Sequence, residues 1–532
     1  MKMPRVYGGT RARWRRAPIG ASPAEERSEQ VPVDPLDPFI DASAQAHLVR
    51  EGLVSPLELV DAAIARIEQV DPELNAVVHE CFDQARREAA GPLPDGPFRG
   101  VPYLQKDLDL TTAGEPYHAG TRFLRDRHHR AERDSTLSGL MRASGLVLLG
   151  RTNTPELGLT ATTEPESTGP TVNPWAPTHS AGGSSGGAAA AVAAGLVAVA
   201  HASDGGGSIR VPASACGVVG LKPTRGRVSA GPDVGEAWAG LGIDGVVTRS
   251  VRDTALALDV MAAPAVGDPY VAPPPTRPFA EEPGADTGLL RVGVRWDAPS
   301  GGRPTHPDCV AAVRMAASLL EDLGHVVNED GPAALDDEGL AEQFIECFTV
   351  WVARELDRLG EMAGEPVPAH GVEAATWFLA ETGRSVPASR YLAALDRLHR
   401  FTREVSQWWA DGFDILVTPT IGEPPPPLGS FSPTVDDPLH SLARSAEVVA
   451  FTAPFNTTGQ PAISLPLFWT AQGLPIGVQF VAAHGREDLL LRLAAHLEVL
   501  CPWDQRRPPL RAPSSAAAGA PSRSPRGATA PA

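Results

Sequence analysis

The sequence predicts an α/β fold in one continuous domain, on three observations. Short apolar runs bounded by turn residues alternate with amphipathic helical patterns across residues 35–508. Hydrophobic residues make up 42% of 532, enough for a large core. Gly 52 and Pro 53 together are nearly a fifth of the chain, a loop-rich composition, and no shift of composition marks an internal boundary.

Residues 1–34 are rich in Arg, Pro and Ser and read as a disordered N-terminal extension. Arg15-Arg16 is not followed by the apolar stretch that a twin-arginine export signal needs. Residues 42–51 read as a helix closed by Gly52, and Ser55-Pro56 opens a second through residue 68. Residues 145–149, 290–294, 415–417 and 476–481 read as buried strands, and 250–261, 307–323 and 488–500 as helices between them. The Ala/Gly-rich stretch 187–202 is too short to span a membrane and reads as a buried helix packed closely on a sheet. The Pro-rich stretches 272–283 and 423–427 read as surface loops, and 509–532 as a disordered Pro/Ala/Ser-rich tail.

A net charge of −18 argues against non-specific binding to nucleic acid or anionic lipid. With no membrane segment evident, a cytoplasmic protein is expected, with neither nucleic acid nor membrane as partner. Cys81, Cys216, Cys309, Cys347 and Cys501 are scattered and odd in number, without metal-type spacing, so each reads as a small apolar side chain. Lysine occurs only at Lys2, Lys106 and Lys222, and arginine supplies the remaining positive charge. A lysine kept in such a chain points to chemistry of its own.

Three segments carry that chemistry. Lys106 sits in the largely apolar run Gly100-Val-Pro-Tyr-Leu-Gln-Lys-Asp-Leu108. Gly182-Gly-Ser184-Ser185-Gly-Gly187 opens the Ala-rich stretch, and Asp204-Gly-Gly-Gly-Ser208-Ile-Arg210 follows it. Three glycines before Ser208 let consecutive N–H groups face one concavity, suited to a developing oxyanion. A plain Gly-rich turn or a phosphate loop are the alternatives, the latter weakened because Lys222 is 14 residues on and precedes a proline. None of the 14 histidines sits in a motif that would orient it as base; His179 and His201, nearest the serines, read as loop or packing residues. A buried lysine serves instead if desolvation lowers its pKa, which makes Lys106 the candidate base, with a Lys106–Asp107 ion pair as the alternative. Gly182-Gly-Ser184-Ser-Gly186 also matches a nucleophile elbow, but residues 173–180 look loop-like where an elbow requires a strand.

Taken in order, these segments and the run Cys216-Gly-Val-Val-Gly-Leu-Lys-Pro-Thr224 resemble the amidase signature family, with Ser184 and Ser208 at the family's spacing of 24 residues. Support extends through Leu149-Gly-Arg-Thr-Asn-Thr-Pro-Glu-Leu-Gly158, residues 171–175, 456–466 and 473–479. The resemblance implies a large mixed, twisted β-sheet covered by helices on both faces. It also implies an amidase, hydrolysing carbon–nitrogen bonds other than peptide bonds through a Ser–cis-Ser–Lys triad. In that triad Ser208 matches the acyl-enzyme nucleophile, Ser184 the bridging serine and Lys106 the base. Gly205, Gly206 and Gly207, with Ser208, match the oxyanion hole, and Gly158 the loop beside the acyl pocket. Gly205 departs from the family, which usually has a larger residue there. Asp204 and Arg210 are expected to form an ion pair that holds the loop, and Lys222 to be structural.

Within the family, residues 162–166, 223–227, 450–456 and 485–491 resemble members acting on nylon oligomers, which implies a small uncharged linear or cyclic amide, such as a 6-aminohexanoate cyclic dimer. Cys347 falls where those members have a cysteine near substrate, and is expected to line the pocket. No metal or organic cofactor is expected, and a homodimer stays open. The alternative activity is that of the amide-hydrolysing component of a tRNA-dependent amidotransferase, which would need partner chains. A non-catalytic binding protein is disfavoured because Lys106, Ser184 and Ser208 are all present.

Overall fold

The computed structural model describes residues 34–299, 302–434, 437 and 439–513. The expected N-terminal extension, apart from Asp34, and the tail from 514 onwards lie outside the described residues. Thirteen strands follow in chain order: β1 Val77–Glu80, β2 Pro102–Lys106, β3 Val147–Thr152, β4 Val172–Asn173, β5 Ala176–Ser180, β6 Val199–Asp204, β7 Val219–Lys222, β8 Ile243–Thr248, β9 Arg291–Val294, β10 Val326–Glu329, β11 Ile415–Pro419, β12 Ala462–Trp469 and β13 Pro475–Ala482. Eleven form one sheet in the order β1-β3-β2-β6-β8-β7-β12-β13-β11-β9-β10, while β4 and β5 pair separately. The sheet is mixed: β2 runs parallel to β3 and β6, and β9 parallel to β10 and β11, with the other pairs antiparallel.

Strand alternation explains why both faces are covered. Tyr103, Leu148, Val199 and Val246 enter one core with helices Val251–Met261, Pro307–Asp322 and Glu487–Leu500. Their neighbours Leu104, Val147, Ala200 and Val247 enter a second core with helices Pro56–Leu74 and Gly186–Ala193. Successive side chains thus meet apolar layers on opposite sides, as the mixed sheet of an α/β fold requires.

The expected elements appear with small shifts at their ends. The first helix is Ala42–Arg50, capped by Asp41, and the second runs to Leu74 behind a capping box of Ser55 and Glu58. The stretch 187–202 is a correction: only Gly186–Ala193 is helical, and β6 begins at Val199. A strand buried on both faces is as continuously apolar as a buried helix, so periodicity could not separate them. Residues 173–180, read as loop, form the β4–β5 hairpin, which lies outside the main sheet. The chain also stays on the body past 508, since Leu510 N–H bonds Pro174 O and Ala512 N–H bonds Ala194 O. Helices Leu340–Ala363, Ala374–Arg384 and Ala388–Ala410 add a helical layer; the first two contribute Val352, Leu356 and Leu379 to a cluster with Phe123 and Leu157, and the third packs against the first.

Candidate active site

Lys106 ends β2, so its position is set by the sheet, opposite Thr152 of β3. Its side chain is fully buried and its Nζ donates to Ser184 Oγ at 2.7 Å and Ser203 Oγ at 2.9 Å. Burial lowers its pKa from 10.5 to about 8, against the opposing carboxylates of Asp109, Asp244 and Asp204. The neutral amine able to take a proton is therefore a minority of about a tenth at pH 7, far above that of an ordinary lysine, and becomes the main form as pH rises past about 8. The alternative Lys106–Asp107 ion pair does not form: Asp107 turns away, accepting from His118 N–H at 3.0 Å.

Ser184 follows a cis Gly183–Ser184 peptide and is buried. Ser185 points elsewhere, its Oγ donating to Ser203 O and accepting from Ser203 N–H, which ties this turn to β6. Gly158 lies against Ser184 with φ +69, and a Cβ there would stand 3.0 Å from Ser184 Oγ and 2.7 Å from Leu108 Cδ2. The loop beside the serine therefore requires glycine for both conformation and clearance.

Ser208 follows β6, half-exposed, and borders the same cavity of about 350 Å3 as Ser184, Gly158 and Gly205. Its loop is anchored from beneath. Arg210 donates to both carboxylate oxygens of Asp204 at 2.9 Å, and to Gln479 Oε1 and Asn456 Oδ1. Burial alone would raise the Asp204 pKa, but the Arg210 guanidinium and the Asn456 amide hold it down at about 2. Thr452 Oγ1 donates to Gly206 O at 2.6 Å, fixing the middle of the loop. Lys222 is buried, its Nζ on Pro223 O, and burial pushes its pKa well down.

The unusual Gly205 has a counterpart. A Cβ at this position would meet Trp238 Cε3 at 2.8 Å, so the indole occupies the space that a larger residue would fill. Trp238 packs in turn on Trp351 at 4.3 Å and Phe348 at 5.0 Å between ring centroids, giving the cavity an aromatic wall.

Gly206 and Gly207 stand in the loop between Gly205 and Ser208 but are not among the residues bordering the cavity. Nor is Cys347, which packs against Ala394 and Leu398 behind the wall, with its thiol pKa pushed up to about 11 by burial and the neighbouring Glu346. His201 is buried, its Nε2 3.1 Å from Asp244 Oδ1, and His179 bonds Thr178 in the β4–β5 hairpin. Sequence reasoning missed Ser203, Asp109, Asp244 and Trp238. Ser203 and Asp109 adjoin recognised motifs, but only folding turns them to Lys106. Asp109 borders the cavity with an exposed face, and its enclosure on the other sides and Asp244 push its pKa up while Lys106 and Ser203 oppose.

A family model described as Amidase matches residues 58–491, most of the chain. The chain belongs to the amidase family. It is a hydrolase of amide carbon–nitrogen bonds, as the fold and the cavity serines fit. This amidase is 45% identical over 486 residues to 6-aminohexanoate-cyclic-dimer hydrolase of Paenarthrobacter ureafaciens, covering 90% of this chain and 98% of that one. It is 37% identical over 477 residues to a putative amidase AmiC of Mycobacterium bovis, covering 87% and 95%. A solved structure of 6-aminohexanoate cyclic dimer hydrolase complexed with substrate superposes with a TM-score of 0.87 and 45% identity, over 89% of this amidase and 99% of that chain.

Proposed function

We propose that this amidase cleaves its substrate through Ser208, Ser184 and Lys106, and that the substrate is a small linear or cyclic amide, such as a 6-aminohexanoate cyclic dimer. The observation carrying this reading is the 2.7 Å bond from a desolvated Lys106 to Ser184, beside a cavity that Ser208 also borders. Neutral Lys106 takes the Ser184 proton as Ser184 takes that of Ser208 Oγ. The Ser208 oxygen bonds the amide carbon, and the N–H groups of the Gly205-Gly206-Gly207-Ser208 loop, which meets the cavity at Gly205 and Ser208, hold the anion formed on the carbonyl oxygen. The relay then protonates the amine nitrogen as the carbon–nitrogen bond breaks. Water attacks the resulting ester by the same route, giving the acid and restoring Ser208.

Likeness to a hydrolase of a cyclic amide dimer supports the substrate class, and the aromatic part of the cavity wall, Trp238 and Trp351, offers such an amide an apolar surface beside carboxylates such as Asp233, Glu236 and Glu355. A homodimer and a cytoplasmic location belong to the same proposal; among the described residues no helix is long and apolar enough to cross a membrane, and all five cysteines are unpaired.

Amine release from a panel of aliphatic, aryl and cyclic amides tests it. Ser208→Ala is expected to lose activity by about 10⁴-fold or more. Equal activity in both proteins would remove Ser208 from the mechanism and return Ser184 as the nucleophile. Silence of both on every amide, with activity restored by a co-purifying partner, would favour the amidotransferase reading.

A further inference from the structure

Away from the catalytic cavity, three metal-ligating side chains converge without an assigned purpose. His79 lies on β1, Asp107 follows β2, and His118 stands on the loop beyond it. The two imidazoles meet edge to face with centroids 4.2 Å apart, and His79 Nε2 lies 3.9 Å from Asp107 Oδ2. One donor atom from each of the three falls within 4.8 Å of the others. His118 is 6% exposed and Asp107 2%, yet Nε2 of both histidines has no hydrogen-bond partner. Buried polar atoms are rarely left so, because each loses its water without a replacement.

We propose that His79, His118 and Asp107 form a binding site for one divalent transition cation of the zinc class. Two imidazole nitrogens and one carboxylate oxygen are the three-ligand set such ions take, leaving a position open. A second cavity, bordered by His79, His118 and Asp126 among others, adjoins the two imidazoles and offers a path for an ion. Two metal–ligand bonds of about 2.1 Å at tetrahedral angles put donors about 3.4 Å apart. The donors here, 3.9 Å apart for His79 and Asp107 and within 4.8 Å for all three, stand wider than that, so the three side chains draw together on binding. The second carboxylate oxygen is held by His118 N–H, which fixes the orientation of the first as an outer partner does in metal sites. Arg125 and Arg130 border the same cavity and Arg151 stands beside the ligands, so the affinity falls below that of closed structural zinc sites.

The test uses the full chain stripped with a chelator, titrated with Zn2+ by calorimetry and with Co2+ by visible absorption. One ion per chain is expected, with the intense bands of four-coordinate Co2+, and Mg2+ should not compete. His79→Phe and His118→Phe keep the edge-to-face packing but remove the donors, and each should weaken binding by at least about tenfold. Amide hydrolysis and melting temperature of the metal-free variants report that they have folded. If they have not, hyperfine-shifted imidazole N–H signals of Co2+-loaded wild type should count two histidines. No stoichiometric binding up to about 1 mM metal, binding undiminished in the double variant, or Co2+ without histidine signals would each overturn the site.

Discussion

If Lys106 is the base, as proposed, it sets the pH response. With its pKa lowered to about 8, it is protonated and idle at lower pH, so kcat/KM should climb as pH rises through about 8. Asp109 favours the charged lysine, and Asp109→Asn should move that rise to lower pH, read as a shifted limb in a kcat/KM profile. An unshifted limb would mean that Asp109 does not act on Lys106. Stability follows the same group. Between about pH 8 and 10.5 the unfolded chain still binds a proton that the folded one has released, so this contribution to unfolding free energy rises with pH across that window. Gly158→Ala puts a methyl 3.0 Å from Ser184 Oγ and should reduce kcat by about 10²-fold with the fold retained by circular dichroism, as displacement of a reacting group by an ångström does.

Single contacts at this site are set by pairs of elements. Gly205 follows β6 and Trp238 belongs to the loop before β8, so the oxyanion loop and the aromatic wall are fitted to each other. Gly205→Leu should collapse activity, and Trp238→Ala in the same chain should recover part of it; failure of any recovery would show that the loop requires glycine for another reason. A second junction is buried: Glu487, at the start of helix Glu487–Leu500, accepts from Arg227 Nε at 2.9 Å and from Thr224 N–H at 3.0 Å. Burial alone would raise the Glu487 pKa, but Arg227 holds it below 4.5, so its contribution is present above pH 4.5 and is lost as pH falls through the lower folded value. Arg227→Ala leaves this carboxylate buried and alone and should cost about 3–5 kcal/mol in urea unfolding at pH 7. A loss under about 1 kcal/mol would mean that the helix start reorganises and takes up water.

Across the molecule, the proposed triad draws on β2, the turn before helix Gly186–Ala193 and the end of β6, with β2 and β6 adjacent in the sheet. The Arg210 network ties the Ser208 loop to Asn456 and Gln479, about half the chain away. The C-terminal segment is part of this body. A chain ended at Pro508 loses the bonds of Leu510 and Ala512 to Pro174 and Ala194 and should melt below one ended at Pro513, at about 1–3 kcal/mol. Equal melting temperatures would show that this docking adds nothing to stability.

How much was legible in advance follows from where the information lies. The α/β alternation, the family, and the candidacy of Lys106, Ser184 and Ser208 are local: periodicity, glycine clusters and motif spacing are written in consecutive residues. Strand versus helix in 187–202 was not legible, because burial on all sides removes the polar contrast that periodicity needs. Ser203 under Lys106, Trp238 over Gly205, Cys347 behind the wall rather than in it, and the meeting of His79, Asp107 and His118 all join residues from different strands, helices or loops. Short segments determine which groups are available for chemistry. Only the packing of the sheet and its helices decides which of them share a dry cavity, since desolvation and contact at a few ångströms are properties of the folded chain.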